Sequence, residues 1–103
     1  MEMKVYIVTE SRTATDLFDR EDDYTKILGV FAKRGYEDYG AAYLIDTRIG
    51  EITAEWADMK TYETEVSRPH GEDGDAEIEV RDEDGNVVFE IELHIMEKEV
   101  EGA

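Results

Sequence analysis

The chain has no cysteine and a single proline. Without thiols it can form no disulfide, no thiolate metal site and no cysteine nucleophile. No apolar run approaches the roughly 20 residues of a membrane span. MEMKVYIVTE, residues 1–10, lacks the basic segment and following apolar stretch of a secretory leader. The expected location is therefore cytoplasm, a cell's own or that of an infected host. Catalytic signatures are missing too: there is no Gly-x-Ser-x-Gly, no phosphate-binding glycine loop and no His-Glu-x-x-His. The two histidines, His70 and His94, are far apart in sequence. These absences argue against an enzyme and against a cofactor.

Positive charge is the other scarcity. Eleven Lys and Arg face 28 acids, a net charge of −17. Residues 1–50 hold 10 acids and 7 bases, whereas residues 51–103 hold 18 acids and 4 bases, so −14 falls on the second half. Such a surface repels nucleic acid, anionic membranes and other acidic proteins, and its natural partners are basic.

What remains is enough for one domain of 103 residues, with 41% hydrophobic residues and a modest aromatic set. KVYIVTE (4–10) and YTKILGVFAKR (24–34) are rich in β-branched and aromatic residues and read as antiparallel strands, joined by an acidic connection over 11–23. Both carry apolar residues on both faces: Val5 and Ile7 against Tyr6 and Val8, then Ile27 and Phe31 against Leu28 and Val30. That pattern suits central or doubly covered strands. In GYEDYGAAYLIDTRIG (35–50), Tyr36, Tyr39, Tyr43 and Leu44 recur at helical spacing, with Glu37 and Asp38 early and Gly50 at the end. The spacing predicts a helix over about 36–48, its tyrosines turned to the core. EITAEWADMKTYETEV (51–66) alternates, Ile52, Ala54, Trp56, Tyr62 and Val66 against Glu51, Glu55, Glu63 and Glu65, and reads as a long or bulged strand. Two further strands follow, about 75–83 and 86–98, then a charged tail over about 99–103. The expected fold is α+β, mainly one antiparallel sheet in the order β-β-α-β-β-β, with the helix on one face.

The last two strands can be registered from parity. Ala76, Ile78 and Val80 must share a face with Val87, Phe89, Ile91, Leu93 and Ile95, because one face is buried. A two-residue turn at Asp84-Gly85, a favoured type I′ pair, sets Ile78 against Ile91 and Val80 against Phe89. The same register sets Glu77 against Glu92 and Glu79 against Glu90. Like charges directly opposite cost about 0.2–1 kcal/mol per pair, so the placement calls for a reason.

Four readings compete. The carboxylates are a solvated face with repulsion screened by cellular salt; they are an adaptation to brine; they imitate nucleic acid; or they bind a metal. Glu (17) exceeds Asp (11) and the charge is lopsided, which weighs against brine. GEDGD (71–75) and RDEDGN (81–86) have the oxygen ligands that Ca²⁺ favours, yet neither has the glycine and glutamate spacing of an EF-hand. Mimicry fits the density: carboxylates two residues apart lie about 6.7 Å apart along a strand. Three adjacent acidic strands would carry one charge per roughly 2.2 Å, against about 1.7 Å for duplex DNA. The candidate partner-binding residues are Glu55, Glu63, Glu65, Asp73, Asp75, Glu77, Glu79, Glu90 and Glu92. The partner they suit is a Lys/Arg-rich protein that itself handles nucleic acid. His94, opposite Asp75 in this register, reads as a surface ion pair. Leu17 and Phe18, inside the acidic connection, either fold back on the first two strands or join an interface. A homodimer through the two-faced first hairpin is a further reading.

KVYIVTE…YTKILGVFAKR, with the short tyrosine-containing segment after it, resembles small uncharacterised domains of phages and bacteria. Those open on a Lys-Val-Tyr-hydrophobic-Val-Thr strand and a second strand ending hydrophobic-Gly-Val-Phe. The likeness covers roughly the first 45 residues. It implies a β-β-α start and a phage origin, and it brings no active site. By type the chain is also similar to the acidic anti-CRISPR and anti-restriction inhibitors, many of which imitate nucleic acid. The reading is thus a binding protein that inhibits a nucleic-acid-handling host defence complex. The alternative is a salt-adapted structural or interaction module.

Overall fold

A computed structural model describes residues 3–14, 23–35, 37, 39–59, 61–69, 71 and 74–100. It is α+β, with strands β1 (Met3–Ala14), β2 (Tyr24–Phe31), helix α1 (Ala41–Ala57), then β3 (Glu63–Ser67), β4 (Ala76–Arg81) and β5 (Val87–Val100). The strands form one antiparallel sheet in the order β2-β1-β5-β4-β3. One face is covered by α1, and the core lies between them: Val8, Ala14, Ile78, Val80, Phe89, Ile91 and Leu93 from the sheet against Ala41, Ile45, Ile52 and Trp56 from the helix.

The helix is placed later than its spacing suggested. It does not occupy 36–48, and the expected strand over 51–66 survives only as β3. Ile45, Ile49, Ile52 and Trp56 step by four, three and four, which makes one stripe of a helix. The alternation of Ile52, Ala54 and Trp56 fits a strand equally well within that short window. Burial of Ile45, Ile52 and Trp56 on the sheet, with Ile49 partly buried beside them, decides for the helix. Gly50 lies inside α1, exposed, where an added Cβ would meet nothing within 4 Å.

Gly40, expected mid-helix, is instead the residue before the first turn. The unpaired N–H groups at the helix start are taken by the preceding loop: Ala41 N–H donates to Lys33 O (3.0 Å) and Ala42 N–H to Arg34 O (2.8 Å). This close approach excludes a side chain, since a Cβ on Gly40 would sit 2.2 Å from Lys33 O. The tyrosines expected in the core are divided. Tyr39, in the left-handed region (φ 54°), and Tyr43 are exposed and meet edge-to-face at 4.9 Å, while Tyr6 and Tyr62 pack partly buried on the core. Tyr36 lies outside the described residues.

β1 lies inside the sheet but β2 is an edge strand, so of the two placements expected, central or doubly covered, the central one holds for β1 alone. A bulge explains the two-faced pattern of β2. Val8 pairs with Gly29 and Thr9 with Ile27, leaving Leu28 as an extra residue. The bulge turns Leu28 and Phe31 towards the helix and Ile27 and Val30 away from it.

The β4–β5 register follows the parity argument through Ala76↔Leu93, Ile78↔Ile91 and Val80↔Phe89. The turn itself differs. Arg81 pairs with Val87 after a bulge, and residues 82–86 form a wider loop rather than a type I′ turn at Asp84-Gly85. Asp82 Oδ1 accepts from the N–H groups of Asp84 (3.0 Å) and Asn86 (2.9 Å), and only Gly85 of the pair takes positive φ, +84°. The Asx-type bonding of Asp82 competes with the tighter turn.

Candidate carboxylate face

Among the described residues nothing packs on the sheet face opposite α1, and strand order brings β3, β4 and β5 side by side. Two rows of carboxylates result. Glu65 pairs with Glu79, which pairs with Glu90; in the next row Glu77 pairs with Glu92. Ser67 stands opposite Glu77 where a complete array would have a third carboxylate. Five glutamates over two rows give one charge per about 2.7 Å, sparser than the 2.2 Å anticipated. A shallow depression of about 80 Å³ lies between Glu77, Glu79, Glu90 and Glu92.

Each end of the array carries a basic side chain. Arg81, opposite Glu63, reaches Glu79 at 2.6 Å and Glu65 at 3.5 Å. At the other end His94 lies between Asp75 (Nδ1 to Oδ2, 3.2 Å) and Glu92 (Nε2 to Oε2, 3.1 Å). The hydrogen bond with Glu92 raises the imidazole pKa above its ordinary value; partial burial opposes this and Asp75 adds to it. Asp75 has a structural task as well. Its Oδ1 accepts the Ile95 N–H at 2.8 Å, standing in for a ladder carbonyl where β4 begins. Glu77 and Glu90 have no ion pair among the described residues, so they are the barest carboxylates of the face.

Of the anticipated site residues, Glu63, Glu65, Asp75, Glu77, Glu79, Glu90 and Glu92 share this surface. Glu55 does not: it is an exposed residue of α1, on the other side of the sheet, because residues 51–57 continue the helix. Asp73 lies outside the described residues, as do His70, Leu17 and Phe18.

A second charged group went unanticipated. Glu10 is 0% exposed, on the helix-facing side of β1. It accepts from Arg48 Nε and, at 3.1 Å, from a terminal nitrogen of the same guanidinium, and also from the Tyr24 hydroxyl. Lys26 Nζ stands 3.8 Å away. Burial alone would raise the Glu10 carboxyl, but hydrogen bonds from Arg48 and Tyr24 and the charges of Arg48 and Lys26 outweigh it and hold the group below the usual carboxylate range. Burial and the bond to Glu10 push the Tyr24 phenol up. The signal was in the sequence: Glu10 has the parity of Tyr6 and Val8, and extending the first strand past residue 10 puts it inside. Beside it Arg12 lies over the Phe89 ring at 4.0 Å and the Trp56 ring at 5.8 Å. Both carboxylate oxygens of Glu10 are thus engaged within the fold.

Among the described residues no three His, Asp or Glu side chains converge in a group that could hold a metal ion, and no helix is long and apolar enough to cross a membrane. No family model, curated protein or solved structure matches the chain.

Proposed function

We propose that the chain is an acidic binding protein that occupies the Lys/Arg-lined nucleic-acid groove of a host defence complex, anti-CRISPR-like or anti-restriction-like, through the β3-β4-β5 face. What carries the reading is the pair of carboxylate rows, Glu65–Glu79–Glu90 and Glu77–Glu92, on adjacent strands. Across strands the groups are spaced by about 4.8 Å and along them by about 6.7 Å, a two-dimensional lattice of negative charge on the scale of a phosphate backbone. The depression among Glu77, Glu79, Glu90 and Glu92 suits an ammonium or guanidinium head group in contact with several carboxylates at once. Repulsion between facing glutamates is relieved when a basic surface is bound, so the energy stored in the free protein favours the complex.

The test is charge reversal. Glu77→Lys, Glu79→Lys, Glu90→Lys and Glu92→Lys together should abolish capture of purified CRISPR effectors and restriction enzymes. Capture by the unaltered chain should be competed by duplex DNA and weakened by salt. The reversed chain should stay folded, because all four positions lie on the solvent side of the sheet. Undiminished capture by it would sink the reading. A second reading, a salt-adapted interaction module, draws on the acids of the helix: Asp46, Glu51 and Glu55 are also exposed, so acidity is not confined to one face.

A further inference from the structure

The uncovered face is acidic at only one end. At the other, outward positions of β1 are Met3, Val5, Ile7 and Thr9, those of β2 are Ile27 and Val30, and those of β5 are Met96, Lys98 and Val100. No carboxylate falls among them, in a chain with 28 acids. The register makes this a continuous patch: Ile7 lies between Val30 and Met96, Thr9 beside Ile27, and Met3 beside Val100. Ile27 is 67% exposed, Val30 58% and Met96 56%. With Met3 and Val100 the patch leaves on the order of 500 Å² of apolar surface in water, the size of the largest patch on a typical monomer, which is often functional.

A basic partner would find its counter-charges at the other end of the face. We infer that the patch is the interface of a homodimer. A second copy is the occupant that brings a matching apolar surface, and two such patches bury about 1,000 Å², the threshold for a specific interface.

The position of the patch sets the geometry. A twofold axis along β1 stacks Ile7 on its own copy and Met96 on Val30 of the other copy, with β5 of each chain over β2 of the other. Sheets stacked this way keep their strands within about 30° of alignment. The same axis carries β3 and β4 of the two copies to opposite sides, so the two carboxylate arrays diverge. The inference shares strand β5 with the proposed function but none of its residues, and either can fail alone.

Sedimentation equilibrium on the full chain, from micromolar to millimolar at 0.1 M and 1 M KCl, tests it. The expected mass is twice 11.8 kDa, with tighter association at 1 M KCl, where repulsion between two chains of −17 is screened. Val30→Glu with Met96→Glu should weaken the dimer at least about tenfold. Glu77→Lys with Glu90→Lys should leave the dimer standing. Val30→Ser with Met96→Ser replaces the glutamate pair if that pair lowers the melting temperature. A chain that stays monomeric across the whole range overturns the inference, and so does a dimer indifferent to both pairs of substitutions.

Discussion

Glu10 of β1 is held by three groups drawn from two other elements: Tyr24 and Lys26 of β2, and Arg48 of α1. A buried ion pair of this kind adds little net stability over an apolar replacement, yet losing one partner is costly because the other charge is left uncompensated. Glu10→Gln should therefore destabilise the fold by on the order of 3 kcal/mol at pH 7, the low end for such pairs because Arg48 remains one-fifth exposed. Glu10→Leu with Arg48→Met should recover most of the loss. The pH dependence has a definite sign. The folded carboxyl sits below its ordinary 4.5, so the advantage over Glu10→Gln is complete above that pH and fades as pH falls through the folded value. Urea titrations of both chains between pH 3 and 7 measure it. A gap that widens on acidification would refute the assignment.

At the scale of elements, α1 illustrates how two periods can share one segment. Residues 51–57 satisfy both a strand and a helix, and Gly50 invited a stop there. The helix runs through because Ile45, Ile49, Ile52 and Trp56 form a stripe only if it does, and that stripe covers Ile78, Phe89 and Ile91. Its two glycines then differ in cost. Gly50 is on the solvent side with open space around it, so Gly50→Ala should raise stability by about 0.4–1 kcal/mol. Gly40 has Lys33 O in the place of a Cβ, so Gly40→Ala should be destabilising and loosen the helix start. Chemical denaturation of the two variants checks both signs. Equal effects would mean that the helix begins elsewhere.

For the molecule as a whole, charge and apolar surface are segregated on one exposed sheet face. Arg81 pairs with Glu79 and His94 lies beside Glu92 at the two ends of the carboxylate array, so uncompensated charge is concentrated on Glu77 and Glu90. Two facing pairs cost about 1–2 kcal/mol unscreened, which a domain of ordinary stability tolerates. The chain should thus be folded at low KCl, with a melting temperature that rises only a few degrees at molar KCl. Thermal melts at the two salt concentrations decide the matter. A chain folded only in molar KCl would make its acidity an adaptation to brine and remove the main support for mimicry.

How much of this was legible beforehand depends on the reach of each interaction. The α+β class, the β4–β5 register and the facing glutamate pairs follow from period-two alternation with one buried face. That constraint acts between neighbouring residues, and a slip of one position would bury glutamates. The fate of residues 51–57, the removal of Glu55 from the carboxylate face and the partners of Glu10 do not follow in this way. Each depends on contacts between residues tens of positions apart, such as Arg48 with Glu10. Strand order is of the same kind: alternation tells each strand which side is wet, but β5 has to lie between β1 and β4 before the acidic strands become neighbours and the apolar ones gather at the far edge. Local parity determined which side chains face water, and only the tertiary packing decided which of them stand together.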